Sequence, residues 1–148
     1  MRPGNAGTLA LEDVPVPVRL KLAALWTATM FLFAYGDIFT VYRAEKVMEI
    51  LHGKIAGFEV TGAFLLATSV YVATPSVMVF LSLALRPRVS RWMNIAVGAI
   101  YALTIIASAI GEGAGYSIFL SALEIALVLL IVRLAWNWPR GPAPQTAR

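Results

Sequence analysis

The chain has 148 residues and a mass of 16.0 kDa, with 59% hydrophobic and only 14% charged residues and a mean hydropathy of +0.77. A water-soluble domain carries about 25% charged residues, so this chain lacks the polar surface to cover itself in water and a bilayer is its expected solvent. Cysteine is absent and His52 is the only histidine, which excludes disulfides, thiolate metal sites, thiol redox chemistry and a bis-histidine haem within one chain.

The length fits one domain. Residues 1–19 read as a disordered tail: PGNAG is rich in turn formers, and the alternating prolines of VPVPV forbid a helix. The first apolar run, residues 20–42, is long enough to cross a hydrocarbon core, which takes about 20 helical residues. It is too long for the core of a signal peptide and follows a tail containing Glu12 and Asp13. An external segment follows at 43–59. Val47, Met48, Leu51, Ile55 and Phe58 recur there at helical spacing among Glu45, Lys46 and Glu49, which predicts a short amphipathic interfacial helix up to about His52. Gly53 and Gly57 should end it.

The second span is expected at 60–85 and contains Pro75, which cannot donate a backbone hydrogen bond and should kink the helix near Tyr71–Thr74. Packing accounts for such a kink, and a hinge is the functional alternative. The third span is expected at 92–110 and the fourth at 116–138, joined by the glycine-containing turn GEGAG. That turn has no lysine and follows an apolar helix, so it does not read as a phosphate loop. Residues 139–148, proline-rich, form a second disordered tail. The fold class is therefore all-α, an integral membrane four-helix bundle with a short external interfacial helix.

Basic residues set the expected orientation. Arg2, Arg19, Lys21, Arg86, Arg88, Arg91, Arg133, Arg140 and Arg148 share one side, against Arg43, Lys46 and Lys54 on the other. The positive-inside rule puts both termini in the cytoplasm, with Trp92, Trp136 and Trp138 in an aromatic belt at that interface. The same placement makes the net charge of +4 a matter of topology, and no nucleic-acid partner is expected. The lipid bilayer is the expected partner, together with a second copy or another membrane protein.

Small and polar residues mark helix contacts in lipid. They point inward through Gly62, Ser69 and Ser76 in the second span, with Thr61, Thr68 and Ser82 beside them. In the third span the stripe is Asn94, Gly98, Tyr101, Ile105 and Ser108, and in the fourth Ser117, Ser121 and Glu124.

Two acids stand out, because a carboxylate near the centre of a membrane helix costs at least about 2.5 kcal/mol. Arg133 can snorkel to the interface, whereas Asp37 and Glu124 cannot do so as easily. At 1.5 Å rise per residue, Asp37 falls about 9 Å and Glu124 about 4.5 Å to the outer side of the midplane. If spans one and four are neighbours, the pair could share a proton or a cation and titrate as a unit. The candidate site comprises Glu124, Asp37, Tyr35, Ser121 and Tyr101. The structural alternatives are Asp37 at the outer interface and Glu124 hydrogen-bonded to a Ser or Tyr of a neighbouring span.

Three stretches, LKLAALWTATMFLFAYGDIF, PSVMVFLSLALRPRVSRWMNI and EIALVLLIVRLAWNWP, resemble an uncharacterised family of small bacterial four-span membrane proteins. That family is a domain of unknown function, distantly similar in layout to the DoxX-like group. The resemblance runs from about Val18 to Pro139, and it departs where proline and glycine would follow the first span, since Arg43 and Ala44 stand there. It implies a four-helix protein of the bacterial inner membrane and brings no activity, cofactor or catalytic residue. No catalytic motif or nucleophile–base pair is present, so no enzyme and no cofactor are expected. The expected role is a non-catalytic accessory or interaction subunit, with a small proton- or cation-coupled transporter subunit as the alternative.

Overall fold

A computed structural model describes residues 15–110 and 113–139. The expected disorder of residues 1–14 and 140–148, and residues 111–112 of GEGAG, lie outside the described residues. Helix α1 is Val18–Val41, α2 is Ala44–Leu51, α3 is Gly62–Ala84, α4 is Pro87–Ala109 and α5 is Gly115–Trp136. Strands β1 (Lys54–Ile55) and β2 (Phe58–Glu59) form a small antiparallel hairpin. Helices α1, α3, α4 and α5 are each long and apolar enough to cross a membrane, as a four-span all-α protein requires.

Helix α1 starts two residues earlier than the hydropathy boundary, and α4 starts five residues earlier than expected. Pro87 occupies the first turn of α4, where its missing N–H is not needed and its fixed φ suits a helix. Ser90 is fully buried there and its hydroxyl donates to the Ser82 carbonyl at 3.3 Å, so the polar PRVSR stretch folds as helix instead of loop.

The segment at 43–59 begins as expected, with α2 ending at Leu51. The remainder is a hairpin that periodicity did not predict. Ala56 and Gly57 both have positive φ, at 49° and 80°, the pattern of a two-residue turn whose twist matches its strands. The Gly57 N–H donates to Glu49 Oε1 at 2.8 Å and ties the hairpin back to α2.

The long helices alternate in direction. One end carries the α3–α4 connection with Arg86, Arg88 and Arg91, and is termed the arginine-rich end; the opposite one is the hairpin end. Helix α1 packs against α3 and α5, and α5 against α4, whereas α3 and α4 meet more lightly. Leu22, Trp26, Met78, Tyr101, Val128 and Ile131 form the core. At the arginine-rich end it is keyed by Asn94, which is fully buried and accepts from Trp26 Nε1 at 2.7 Å and from the Ser82 hydroxyl at 3.2 Å. Its amide nitrogen donates to the Ser90 carbonyl at 2.8 Å, so the knot joins α1, α3 and α4 with its side-chain polar groups paired.

Asn94, Gly98, Tyr101 and Ile105 are buried, as the stripe on the third span predicted, whereas Ser108 is exposed. Gly98 is needed for close approach: a Cβ there would lie 2.8 Å from Val132 Cγ2. The stripe on α3 is different. Gly62, Ser69 and Ser76 are exposed, and the buried face is Pro75, Met78 and Ser82. The Ser69 hydroxyl bonds the Leu65 carbonyl of its own helix at 2.8 Å, so it needs no neighbour.

Pro75 interrupts neither the helix nor its hydrogen-bond accounting. The carbonyl that its missing N–H frees is that of Tyr71, and the Tyr101 hydroxyl of α4 donates to it. The Tyr71 hydroxyl shares a 2.8 Å hydrogen bond with Thr104 Oγ1, whose own proton can reach the Tyr101 carbonyl at 3.0 Å. Pro75 therefore sits in a packed interhelical lock.

Candidate functional site

The buried face of α5 is Glu124, Val128, Ile131 and Ala135, a stripe at helical spacing that faces α4 and α1. Glu124 is the member nearest the hairpin end and is 8% exposed. Its carboxylate has no hydrogen bond or ion pair with any described residue, and its oxygens keep some accessible surface. A bond from a Ser or Tyr of a neighbouring span, the simplest structural account of Glu124, is therefore not made. Toward the hairpin end from this level none of the four long helices has another buried residue. Glu124 thus lies where the tightly packed part of the protein gives way to an open one.

An aromatic wall stands beside this level. Tyr71 and Tyr101 stack with centroids 4.6 Å apart, Phe33 lies 6.0 Å from Tyr101 and 6.4 Å from Tyr71, and Trp26 meets Tyr101 edge-on at 5.8 Å.

Spans one and four are neighbours, the condition on which a shared carboxylate site depends. A Cβ on Gly36 would lie 3.9 Å from Leu120 Cδ1, and the rings of Phe39 and Tyr116 are 6.0 Å apart. This antiparallel register sets Asp37 about five residues, or about 7.5 Å, closer to the hairpin end than Glu124. No hydrogen bond joins the two acids. Asp37 itself is exposed. The arrangement is one largely buried and one shallow carboxylate along a single helix seam.

The other candidates are dispersed around that seam. Ser121, one turn from Glu124 on α5, is half-buried. Tyr101 is 3% exposed and its hydroxyl is committed to the Tyr71 carbonyl, so it offers the site a ring face instead of a proton donor. Tyr35 is 54% exposed and makes no ring contact with a described residue. Sequence reasoning missed Phe33, Tyr71 and Thr104. The signal for Tyr71 was present, since it stands four residues before Pro75 and any partner of its carbonyl had to come from another helix.

Among the described residues no three His, Asp or Glu side chains converge in the manner of a metal site. The described basic groups lie toward the two ends. At the hairpin end Arg43 pairs with Glu45 at 2.8 Å and Lys46 with Glu49 at 3.6 Å. Hydrogen bonds from its own backbone N–H and then from Arg43 hold the Glu45 carboxyl below the usual carboxylate range.

A family model described as "Family of unknown function (DUF6326)" matches residues 18–143. No curated protein and no solved structure matches the chain.

Proposed function

The chain belongs to DUF6326, a family of unknown function, and from its own residues we propose that it is a small proton- or cation-coupled transport subunit in which Glu124 carries the ion. One observation carries this reading: Glu124 is largely buried in a membrane-length helix, and its carboxylate has no protein partner while its oxygens keep some accessible surface. Such a group is expensive in lipid, and a merely structural acid would have acquired a donor. Asp37 serves as the shallower relay toward the hairpin end, and the rings of Phe33, Tyr71 and Tyr101 give the site a wall that tolerates a cation. The chain is read as non-catalytic. The arginines of the α3–α4 connection and Arg133 support placing that end, and both termini, on the cytoplasmic side of a bacterial inner membrane.

The test is infrared difference spectroscopy of lipid-reconstituted wild type, Glu124→Gln and Asp37→Asn across the pH range the folded protein tolerates. A carboxyl band that titrates in wild type, vanishes in Glu124→Gln and moves in Asp37→Asn is the expected result, with a shift on adding sodium if a metal cation is the cargo. Glu124 unresponsive to both pH and cations would overturn the reading.

A non-catalytic accessory or interaction subunit is the second reading, favoured by one observation. The Gly62, Ser69 and Ser76 stripe lies on the exposed face of α3, and small residues suit close helix approach in lipid. Cross-linking from Ser69→Cys in native membranes tests it, and a stripe that captures neither a second copy nor another protein defeats it.

A further inference from the structure

Between the Asn94 knot and the Tyr71–Tyr101 lock, helices α3 and α4 stand apart and leave a groove of about 290 Å³. Val77, Leu81, Met93 and Val97 are among its walls, and its one hydroxyl, on Thr74, is spent on the Val70 carbonyl at 2.8 Å. The groove is dry in chemistry and runs from Leu81 to Val70, about 16 Å at 1.5 Å per residue. That is close to one leaflet of a hydrocarbon core, about 15 Å. Its walls are apolar along that length, as an acyl chain lying between the helices requires.

Toward the arginine-rich end the groove adjoins a hollow of about 450 Å³ that shares Met93 and is bordered by Arg88 and Trp92. Arg86 and Arg88 are exposed and have no ion pair with a described residue. Trp92, 59% exposed, stands at the depth where interfacial tryptophans meet headgroups. The exposed Arg88 guanidinium therefore borders the hollow that continues an apolar slot one acyl chain long. Arginine suits a phosphate at that place because its planar fork donates two parallel hydrogen bonds.

We infer that the α3–α4 groove binds one acyl chain of an anionic phospholipid whose headgroup is held by Arg88. The Asn94 knot and the Pro75–Tyr71–Tyr101 lock fix the slot's two ends, so it is built into the fold and independent of the Glu124 site.

Native mass spectrometry of the full chain in detergent, titrated with phosphatidylglycerol and with phosphatidylcholine, tests this. Phosphatidylglycerol should bind more tightly, and Arg88→Gln should weaken it about fivefold and narrow its lead over phosphatidylcholine. Arg133→Gln, at the same end but on α5, should have no such effect. Ala73→Phe with Val97→Phe should fill the slot and remove the tight phospholipid, with helicity checked by circular dichroism. In wild type, affinity should rise with acyl length and level off once the slot is full, a readout that needs no variant. Equal binding of the two lipids, loss of affinity in Arg133→Gln as large as in Arg88→Gln, or indifference to acyl length would each overturn the inference.

Discussion

Replacing Tyr101 by Phe removes one oxygen atom and leaves the ring stacks with Tyr71 and Phe33 in place. The oxygen matters because of Pro75: the Tyr71 carbonyl has no N–H from its own helix and is satisfied by the Tyr101 hydroxyl. A buried acceptor left unpaired costs about 1–3 kcal/mol, while interhelical hydrogen bonds measured in membranes average about 0.6 and reach about 1.7 kcal/mol. Tyr101→Phe should therefore destabilise the protein by about 1–2 kcal/mol, at the upper end of the membrane range because the acceptor is a backbone carbonyl with no alternative. In a Pro75→Ala background the alanine N–H reclaims that carbonyl. The same Tyr101→Phe substitution should then cost less than about 0.5 kcal/mol, a coupling read directly from a double-mutant cycle. Reversible unfolding in mixed micelles, followed by circular dichroism, measures all four corners. An equal cost of Tyr101→Phe in both backgrounds would refute the argument, since the hydroxyl would then be acting elsewhere.

Glu124→Leu should raise stability by about 1–3 kcal/mol in the same assay, because it removes a buried carboxylate that has no partner; a loss of stability would mean that the carboxylate is a structural anchor. Gly98→Ala should cost about 1–3 kcal/mol through the 2.8 Å approach to Val132 Cγ2, and Val132→Ala should recover part of it, whereas an additive pair would place the strain elsewhere. The Glu45 carboxyl should titrate below 4.5 by NMR, since its own backbone N–H and Arg43 favour the charged form. The sign follows from the depressed value: these contacts are present above the ordinary carboxylate range and are lost as pH falls through the folded value, and Arg43→Gln should raise the midpoint.

Hydropathy and length matched four long apolar helices to within a few residues at most ends, because a run of about 20 apolar residues admits few other structures. The exception, the start of α4, was hidden by charge: Arg88, Ser90 and Arg91 look like loop, yet Pro87 opens a helix there and Ser90 finds a carbonyl on α3. Which face of each helix points inward was legible for α4, where Asn94 and Tyr101 need partners on other helices, and illegible for α3. Ser69 and Thr74 return their hydroxyls to carbonyls four residues back on the same helix, so a polar side chain need not face a neighbour. Lipid as solvent removes the contrast that marks an inner face in water. The same loss of contrast hides most of the α5 stripe, and Glu124 was findable only because it is charged. Its nearness to Asp37 depended on α1 packing beside α5, a tertiary fact with no local signature.

The packed part of the protein ends at Glu124, and this gives the molecule two mechanical zones. From the Asn94 knot to the Tyr71–Tyr101 lock the helices are clamped by buried contacts on several elements. Beyond it they are joined by the exposed α2 and hairpin, and by α1–α5 contacts such as Phe39 with Tyr116. Membrane helices tilt at small cost when bilayer thickness changes, and the less buried zone offers such a tilt fewer contacts to break. Glu124 lies at the boundary between the two zones.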